Sequence, residues 1–217
     1  KAIKMKIGLG SLTKDIDRVA AVRDAIGNDI QLMVDANHCF TVPQAINLGR
    51  ELEKLGVHWF EEPISPEDLD GYVEVSRKLD MAIAGGENEF TKFSFRRILE
   101  KRAMDIVQPD VCAAGGITEC KKIAALAQAQ AIQCVPHAWG TAIGLAATMH
   151  FLASLPNTPP CLVPQPPMLE YEQTFNPFRD ELSSTALTHV GGIVHVPTGP
   201  GLGIEINRAV LDKYRVA

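Results

Sequence analysis

The feature that most constrains the fold is a regular alternation of short apolar runs with longer amphipathic stretches. The run "IQLMVDAN" is followed by "TVPQAINLGRELEKLG", and "VHWFEEP" is followed by "SPEDLDGYVEVSRKL". Short apolar runs are typical of buried strands, whereas apolar residues every three or four positions are typical of helices that pack on a sheet. The repeated order of strand and helix predicts an α/β protein with a parallel sheet.

Several helix boundaries can be predicted as well. The first helix should end at Gly27, because glycine commonly ends helices. The second should begin with a capping box, since Thr41 and Gln44 have the required spacing. In the third helix we expect Ser65 to be the N-cap residue, followed by Pro66 in the first turn.

Each predicted strand ends in a polar side chain or is closely followed by one. These residues are Lys6, Asp35, Glu61, Glu87, Asp110 and His137. In a (β/α)8 barrel the strand ends converge on one mouth, whereas an open doubly wound sheet needs no functional group on every strand. The pattern therefore favours a TIM-type barrel, with Glu170 as a further candidate. The alternative is that these acids only cap strand ends before turns.

The acids at three successive strand ends predict a metal site. Side chains alternate between the two faces of a strand, so only one of Glu61 and Glu62 can point into the barrel. Three carboxylates in a buried mouth repel one another unless a cation neutralises them. Ligands that are all oxygen, with open positions left for substrate, suit Mg²⁺. We therefore expect Mg²⁺ to be bound by Asp35, Glu87 and one acid of the Glu61–Glu62 pair.

Candidate bases lie on other strands. Lys4 and Lys6 alternate with apolar residues, so both amines should lie on one face, and a lysine that has lost its proton can act as a base. Asp110 could hold the imidazole of His137 in one tautomer. Alternatively, the lysines are solvated at a frayed edge and the histidine is structural. A metal with a base on either side suits removal of a proton next to a carboxylate.

Composition narrows the classes of partner. The net charge of −5 argues against nucleic-acid binding, and no apolar run approaches the roughly 18 residues of a membrane helix. The five cysteines form no CxxC motif, which fits reduced thiols better than a disulfide framework. We therefore predict a cytoplasmic enzyme whose partner is a small-molecule carboxylate rather than a nucleic acid or a membrane.

Short motifs along most of the chain resemble the enolase superfamily, in particular the mandelate racemase subgroup of the mandelate racemase/muconate lactonizing enzyme family. They are "KMK" at 4–6, "DAN" at 35–37, "EEP" at 61–63, "GEN" at 86–88, "PD" at 109–110, "GG" at 115–116 and "PHAWG" at 136–140. The resemblance covers residues from about Lys4 to Asn207. Within the subgroup, "WFEEP", "NPFRDEL" and "GPGLGIEINR" look most like acid-sugar cycloisomerases and dehydratases.

The resemblance assigns roles to individual residues. It implies that Asp35, Glu61 and Glu87 bind Mg²⁺. It also implies that Lys6, assisted by Lys4, is one acid/base and that the His137–Asp110 dyad is the other. Glu170 matches an acid that binds the substrate carboxylate, and Asn37 and His38 match positions that often contact substrate. The alternative for Asn37 and His38 is that they cap the following turn.

The resemblance also implies a fold and a reaction. We expect a (β/α)7β barrel in residues 1–190, lacking here its first strand and an N-terminal α+β capping domain. Residues 191–217 should form a β-prone tail that packs on that domain, and the full-length protein should be a homo-oligomer. The expected reaction is proton abstraction through an enolate followed by β-elimination. The alternatives are a racemase or epimerase of a 2-hydroxy acid and a non-catalytic relative that binds a metabolite.

Overall fold

The computed structural model describes residues 2–157 and 167–216, which form two compact units. The first unit comprises the residues up to Glu89 together with Phe93–Gln108. The second comprises Phe90–Lys92 and the residues from Pro109 onward. Within the described ranges, no helix is both long enough and apolar enough to cross a membrane.

The first unit alternates parallel strands with helices. Its elements are β1 (Ala2–Lys6), α1 (Leu12–Ile26), β2 (Gln31–Asp35), α2 (Val42–Lys54), β3 (Val57–Glu61), α3 (Leu69–Lys78), β4 (Ala82–Gly85), most of α4 (Thr91–Lys101) and β5 (Ile106–Val107). These strands follow one another in the sheet in chain order, and each neighbouring pair is parallel. The predicted α/β class and the parallel sheet are confirmed.

The core of the first unit lies between the sheet and its helices. Leu32, Phe60 and Ile83 on the central strands are fully buried. Leu48 and Leu52 on α2 are buried as well. Strands that are covered on one face by helices and on the other by further side chains read as continuous apolar runs, which explains the sequence pattern.

Two predicted helix boundaries are confirmed and one is wrong. Helix α1 ends at Gly27, which has a positive φ of 72°. At the start of α2 the backbone N–H of Thr41 donates to Oε1 of Gln44 at 3.0 Å, as a capping box requires. Helix α3, however, begins at Leu69, and its N-cap is Asp68 rather than Ser65. The Asp68 side chain accepts a hydrogen bond from the Gly71 backbone N–H at 2.8 Å, whereas Ser65 precedes the turn that leads into the helix.

The second unit contains the remaining described elements. They are α5 (Gly116–Ala129), β6 (Gln133–Cys134), α6 (Ala142–Ala153), α7 (Pro177–Asp180), β7 (His189–Val190), β8 (Ile193–Val194) and α8 (Arg208–Lys213). Strands β7 and β8 form an antiparallel hairpin whose two turn residues, Gly191 and Gly192, both have positive φ. A two-residue turn of this kind favours glycine because a side chain would be strained there.

The C-terminal part of the chain packs on α6. Val194, Val196 and Leu202 contact a cluster of buried residues that includes Leu145 and Met149. Part of this tail is therefore packed against a helix of its own unit, and its described elements are the short strand β8 and the helix α8. Four expectations stay predictions. They are the packing of this tail on a capping domain, the domain boundary at residue 190, the closure of the barrel and the absence of its first strand.

Candidate active site

Three carboxylates meet at the carboxyl ends of β2, β3 and β4. Asp35 and Glu61 are the last residues of β2 and β3, lie opposite each other in the strand register, and are 0% and 1% exposed. Glu87 follows the end of β4 by two residues. One oxygen from each of these acids lies within 4.8 Å of the others. The sequence-based prediction that these three acids lie together is therefore correct.

This cluster has the chemistry of a site for a hard divalent cation. All of its ligand atoms are carboxylate oxygens, which Mg²⁺ and Ca²⁺ prefer, and no cysteine or histidine belongs to the group. Asp35 and Glu61 are buried and Glu87 is partly exposed, and carboxylates at this separation repel one another unless positive charge lies beside them. The residues present therefore fit Mg²⁺ as a ligand set.

Glu61 and Glu62 occupy different environments although they are adjacent. Glu61 belongs to the carboxylate cluster, whereas Glu62 accepts a hydrogen bond from the Asn88 side-chain amide at 2.7 Å. Glu62 is also fully buried and has a positive φ of 41°, so the backbone leaves the extended conformation at this residue. The two acids thus have different surroundings, as the sequence predicts, although Glu62 lies just beyond the end of β3 rather than within it.

Both lysines of β1 point toward the carboxylates. Nζ of Lys4 lies 2.7 and 2.8 Å from the two carboxylate oxygens of Glu61, and 3.8 Å from Oδ2 of Asp35. Nζ of Lys6 donates to Oδ2 of Asp35 and, at 2.7 Å, to Oδ1 of Asn37. The predicted common face of the two amines is confirmed. The alternative of solvated lysines does not fit Lys4, whose side chain is only 15% exposed, whereas Lys6 contacts Asp35 and is still 53% exposed.

The turn after β2 carries the two predicted substrate-binding residues. Asn37 and His38 both have positive φ, at 41° and 54°. The Asn37 backbone N–H donates to Oδ1 of Asp35 at 2.8 Å, so this residue borders the carboxylate cluster. The His38 backbone N–H donates to the Glu62 carbonyl at 2.7 Å, and the His38 residue is exposed. Both residues therefore take part in the turn.

In the second unit, His137 and Asp110 form the predicted dyad. Nδ1 of His137 lies 2.7 Å from Oδ2 of Asp110. The other oxygen of Asp110 accepts the backbone N–H groups of Cys112 and Ala113 at 2.7 and 3.1 Å. Burial alone would raise the pKa of Asp110, but the hydrogen bond from His137, its charge and the two backbone donors outweigh burial and lower that pKa.

Glu170 lies beside the dyad. Its Oε2 accepts the backbone N–H of Ala138 at 2.9 Å, which places the carboxylate next to the residue that follows His137. Residues 167–170 form no strand, and residues 158–166 before them lie outside the described part of the chain, so a strand leading to Glu170 stays a prediction. The backbone hydrogen bond from Ala138 helps to hold this acid in position.

Two residues that sequence reasoning missed contact Glu61 directly. The Trp59 indole N–H donates to Oε2 of Glu61 at 3.2 Å, and the side-chain amide of Gln108 donates to the same oxygen at 2.9 Å. Trp59 could have been found from its position two residues before Glu61, on the same face of β3. Gln108 follows the last residue of β5, and nothing in its local sequence indicates contact with an acid some fifty positions earlier.

In this α/β fold, carboxylates and lysines cluster at the ends of parallel strands. Such a protein belongs to the class of α/β proteins with a candidate metal-dependent site at the strand ends. The family model described as "Enolase C-terminal domain-like" matches residues 1–210. The chain therefore belongs to the enolase superfamily, as the motifs indicated.

Several known proteins are similar to the chain. It is 44% identical over 215 residues to D-galactarolactone cycloisomerase of Agrobacterium fabrum, covering 99% of this chain and 57% of that protein. The crystal structure of 3,6-anhydro-D-galactonate cycloisomerase from Zobellia galactanivorans superposes with a TM-score of 0.91 at 44% identity, covering 99% of this chain and 58% of that one. L-Talarate dehydratase from Polaromonas sp. JS666, complexed with Mg and L-glucarate, superposes with a TM-score of 0.84 at 30% identity, covering 97% and 54%.

The chain spans little more than half the length of these relatives. The similarity thus extends along nearly the whole of this chain but not along the whole of each relative. This similarity establishes the family of the chain and its α/β fold.

Proposed function

We propose that the protein containing this chain is a Mg²⁺-dependent acid-sugar dehydratase or sugar-lactone cycloisomerase. It would remove the proton α to a substrate carboxylate and then eliminate the β-oxygen. The observation that carries the proposal is the group of Asp35, Glu61 and Glu87 oxygens within 4.8 Å, flanked by the amines of Lys4 and Lys6. The names of its relatives, two cycloisomerases and a dehydratase, supply the substrate class.

Asp35, Glu61 and Glu87 are the proposed ligands of the cation. When bound, the cation would supply positive charge beside the substrate carboxylate and so favour ionisation at the neighbouring carbon. The relative crystallised with Mg and L-glucarate supports the choice of Mg²⁺ over other hard cations. Asn37, His38 and Glu170 are proposed to bind the substrate.

Lys6 is the proposed base for the α proton. Its side chain is 53% exposed, so a substrate can reach Nζ, whereas that of Lys4 is only 15% exposed. Nζ of Lys6 is held by Asp35 and Asn37, which orient it at the edge of the carboxylate cluster. Lys4 assists through its charge and its contacts with Glu61. A positioned side-chain base of this kind accelerates proton transfer by about 10²- to 10⁴-fold.

The His137–Asp110 dyad is the proposed acid for the departing oxygen. Because the Asp110 carboxylate accepts from Nδ1–H, the proton that moves in the reaction is carried by Nε2. When the Cα–H bond breaks, its electron pair first passes into the enolate of the substrate carboxylate. That pair then forms the Cα–Cβ double bond as the Cβ–O bond breaks. The oxygen leaves as water after it takes a proton from His137, or as the carboxylate of an opened lactone. The resulting enol becomes a 3-deoxy-2-keto acid.

Proton NMR in D₂O with a panel of aldarates, aldonates and sugar lactones tests this function on the full-length protein. We expect loss of the α-proton signal and growth of a 3-deoxy-2-keto acid. Exchange at the α carbon without elimination would instead identify a racemase or epimerase. Binding of a panel member with neither exchange nor product would identify a metabolite-binding protein and contradict the proposal.

The finer architecture belongs to the same proposal. We propose that the complete protein forms a (β/α)7β barrel from residues 1–190 and a segment outside this chain. Residues 191–217 would pack on an N-terminal α+β domain, as expected from the family. The protein would act as a homo-oligomer in the cytoplasm. A crystal structure of the full-length protein with Mg²⁺ would test the barrel, the ligand set and the oligomer together.

A further inference from the structure

One oxygen of Glu61 accepts hydrogen bonds from three different side chains. Oε2 lies 3.2 Å from the Trp59 indole nitrogen, 2.9 Å from the Gln108 amide nitrogen and 2.8 Å from Nζ of Lys4. All four residues belong to the first unit. The carboxylate is thus held by donors on its own strand, on β1 and at the end of β5.

Two of the three donors are neutral and deeply buried. Trp59 is 3% exposed, Gln108 is 2% exposed and Glu61 is 1% exposed. A neutral N–H group orients a carboxylate without cancelling its charge, whereas the ammonium group of Lys4 neutralises it. Trp59 and Gln108 therefore fix the direction of the Glu61 carboxylate without themselves cancelling any of its negative charge.

The side-chain amide of Gln108 is oriented by this contact. Its Oε1 is buried and has no hydrogen-bond partner in the part of the chain that the structure describes. Turning the amide over would bring that oxygen against the Glu61 carboxylate, which two acceptors cannot tolerate. An apolar side chain of similar volume would fill the space without an unsatisfied acceptor. Packing alone therefore gives no reason for glutamine here, and donation to Glu61 does.

We propose that Trp59 and Gln108 are positioning residues for the cation site, acting through Glu61. The inference rests on the proposed function, because it takes Glu61 to be a metal ligand. By holding Oε2, the two donors keep the carboxylate turned toward Asp35 and Glu87. The Glu61 side chain then loses less conformational entropy when the ion binds. Because the Trp59 indole contacts Glu61, the charge of a bound ion should also change the electrostatic environment of the indole.

Calorimetric titration of the full-length protein with Mg²⁺ tests the positioning role. Gln108→Met and Trp59→Phe each remove one donor and keep most of the side-chain volume. We expect each to weaken Mg²⁺ binding by about 10- to 100-fold, the range for residues that orient metal ligands. Gln128→Met, on the exposed surface of α5, and Trp139→Phe, whose tryptophan is 68% exposed, are the matched controls and should bind as the unaltered protein does.

A spectroscopic measurement avoids dependence on the stability of the Gln108 variant. Protein labelled with 5-fluorotryptophan gives one ¹⁹F resonance per tryptophan, and the resonance absent from Trp59→Phe belongs to Trp59. We expect this resonance to shift on saturation with Mg²⁺, while that of Trp139 stays in place. If calorimetry records Mg²⁺ binding and the Trp59 resonance does not move, the proposed link between Trp59 and the cation site through Glu61 is overturned.

The outcomes separate this inference from the proposed function. Mg²⁺ binding that is equal in both variants and the unaltered protein overturns the positioning role and leaves the proposed function standing. Weakened binding in the variants, with no exchange or elimination in any substrate, supports the positioning role and removes the proposed function. If the unaltered protein does not bind Mg²⁺ at all, both fail.

Discussion

Nδ1 of His137 lies 2.7 Å from Oδ2 of Asp110, and the opposite oxygen of that carboxylate accepts two backbone N–H groups. Burial opposes the charge of Asp110, but the imidazole and the two backbone donors lower its pKa. The carboxylate is therefore ionised at neutral pH and accepts the Nδ1 hydrogen of the imidazole, which leaves Nε2 as the nitrogen that gains or gives the proton in the proposed reaction. The same contact affects both stability and the proposed chemistry.

Asp110 should make stability depend on pH in the acid range. A carboxyl group whose pKa is lower in the folded than in the unfolded state stabilises the fold above the unfolded pKa, near 3.8 here. This contribution is lost as the pH falls through the lower, folded value. We expect Asp110→Asn to reduce the difference in the free energy of unfolding between neutral pH and acid pH. Urea unfolding at a series of pH values measures this difference, and an unchanged pH dependence in the variant would contradict the assignment.

Lys6 and His137 should divide the two proton transfers. Lys6→Ala and His137→Ala are each expected to lower turnover by about 10²- to 10⁴-fold, because each removes a positioned acid or base. Only Lys6→Ala should also abolish exchange of the α proton with deuterated solvent. The measurement follows exchange and elimination separately in each variant by NMR. Unchanged turnover in both variants, or loss of exchange in both while elimination survives, would rule out this division.

Removal of the cation should abolish activity reversibly. Treatment with EDTA is expected to stop turnover, and added Mg²⁺ should restore it, because the clustered carboxylates repel a negatively charged substrate without the ion. Activity that resists the chelator would argue against the site as a whole.

The two adjacent acids provide a matched pair for the same site. Glu61→Gln should weaken Mg²⁺ binding at least 10-fold, in line with the loss of a ligand. Glu62→Gln should retain binding, because Glu62 contacts Asn88 and does not belong to the carboxylate cluster. Calorimetric titration of both variants compares them directly. The prediction is wrong if Glu62→Gln loses Mg²⁺ binding as fully as Glu61→Gln does.

Gly86 should be required for the geometry just before Glu87. Its φ of 130° is unfavourable for residues with a side chain, and an added Cβ would lie 2.8 Å from a ring carbon of Phe95 and 3.1 Å from the Gln108 backbone nitrogen. We expect Gly86→Ala to destabilise the protein by about 1–3 kcal/mol through strain and overpacking. Gly10→Ala, where the nearest atom is 3.5 Å away, is the control. Equal stability of the two variants in urea would contradict this account.

Sequence reasoning was most reliable where one local pattern fixes the outcome. Strand alternation alone placed Lys4 and Lys6 on one face, because successive side chains on a strand point to opposite faces. It failed where several local signals competed. Ser65 and Asp68 are both good N-cap residues, and the turn between them left the helix to begin after Asp68.

The sequence by itself determined the α/β class, the parallel strands and the three acids at their carboxyl ends, since these follow from periodicity and from the direction of parallel strands. Only the tertiary structure decided what holds those acids. The amide of Gln108 reaches Glu61 across 47 positions of chain, and Glu170 accepts the Ala138 backbone N–H across 32 positions. Contacts of this kind depend on how distant segments pack, and a local pattern of residues does not predict which distant residue a side chain will contact.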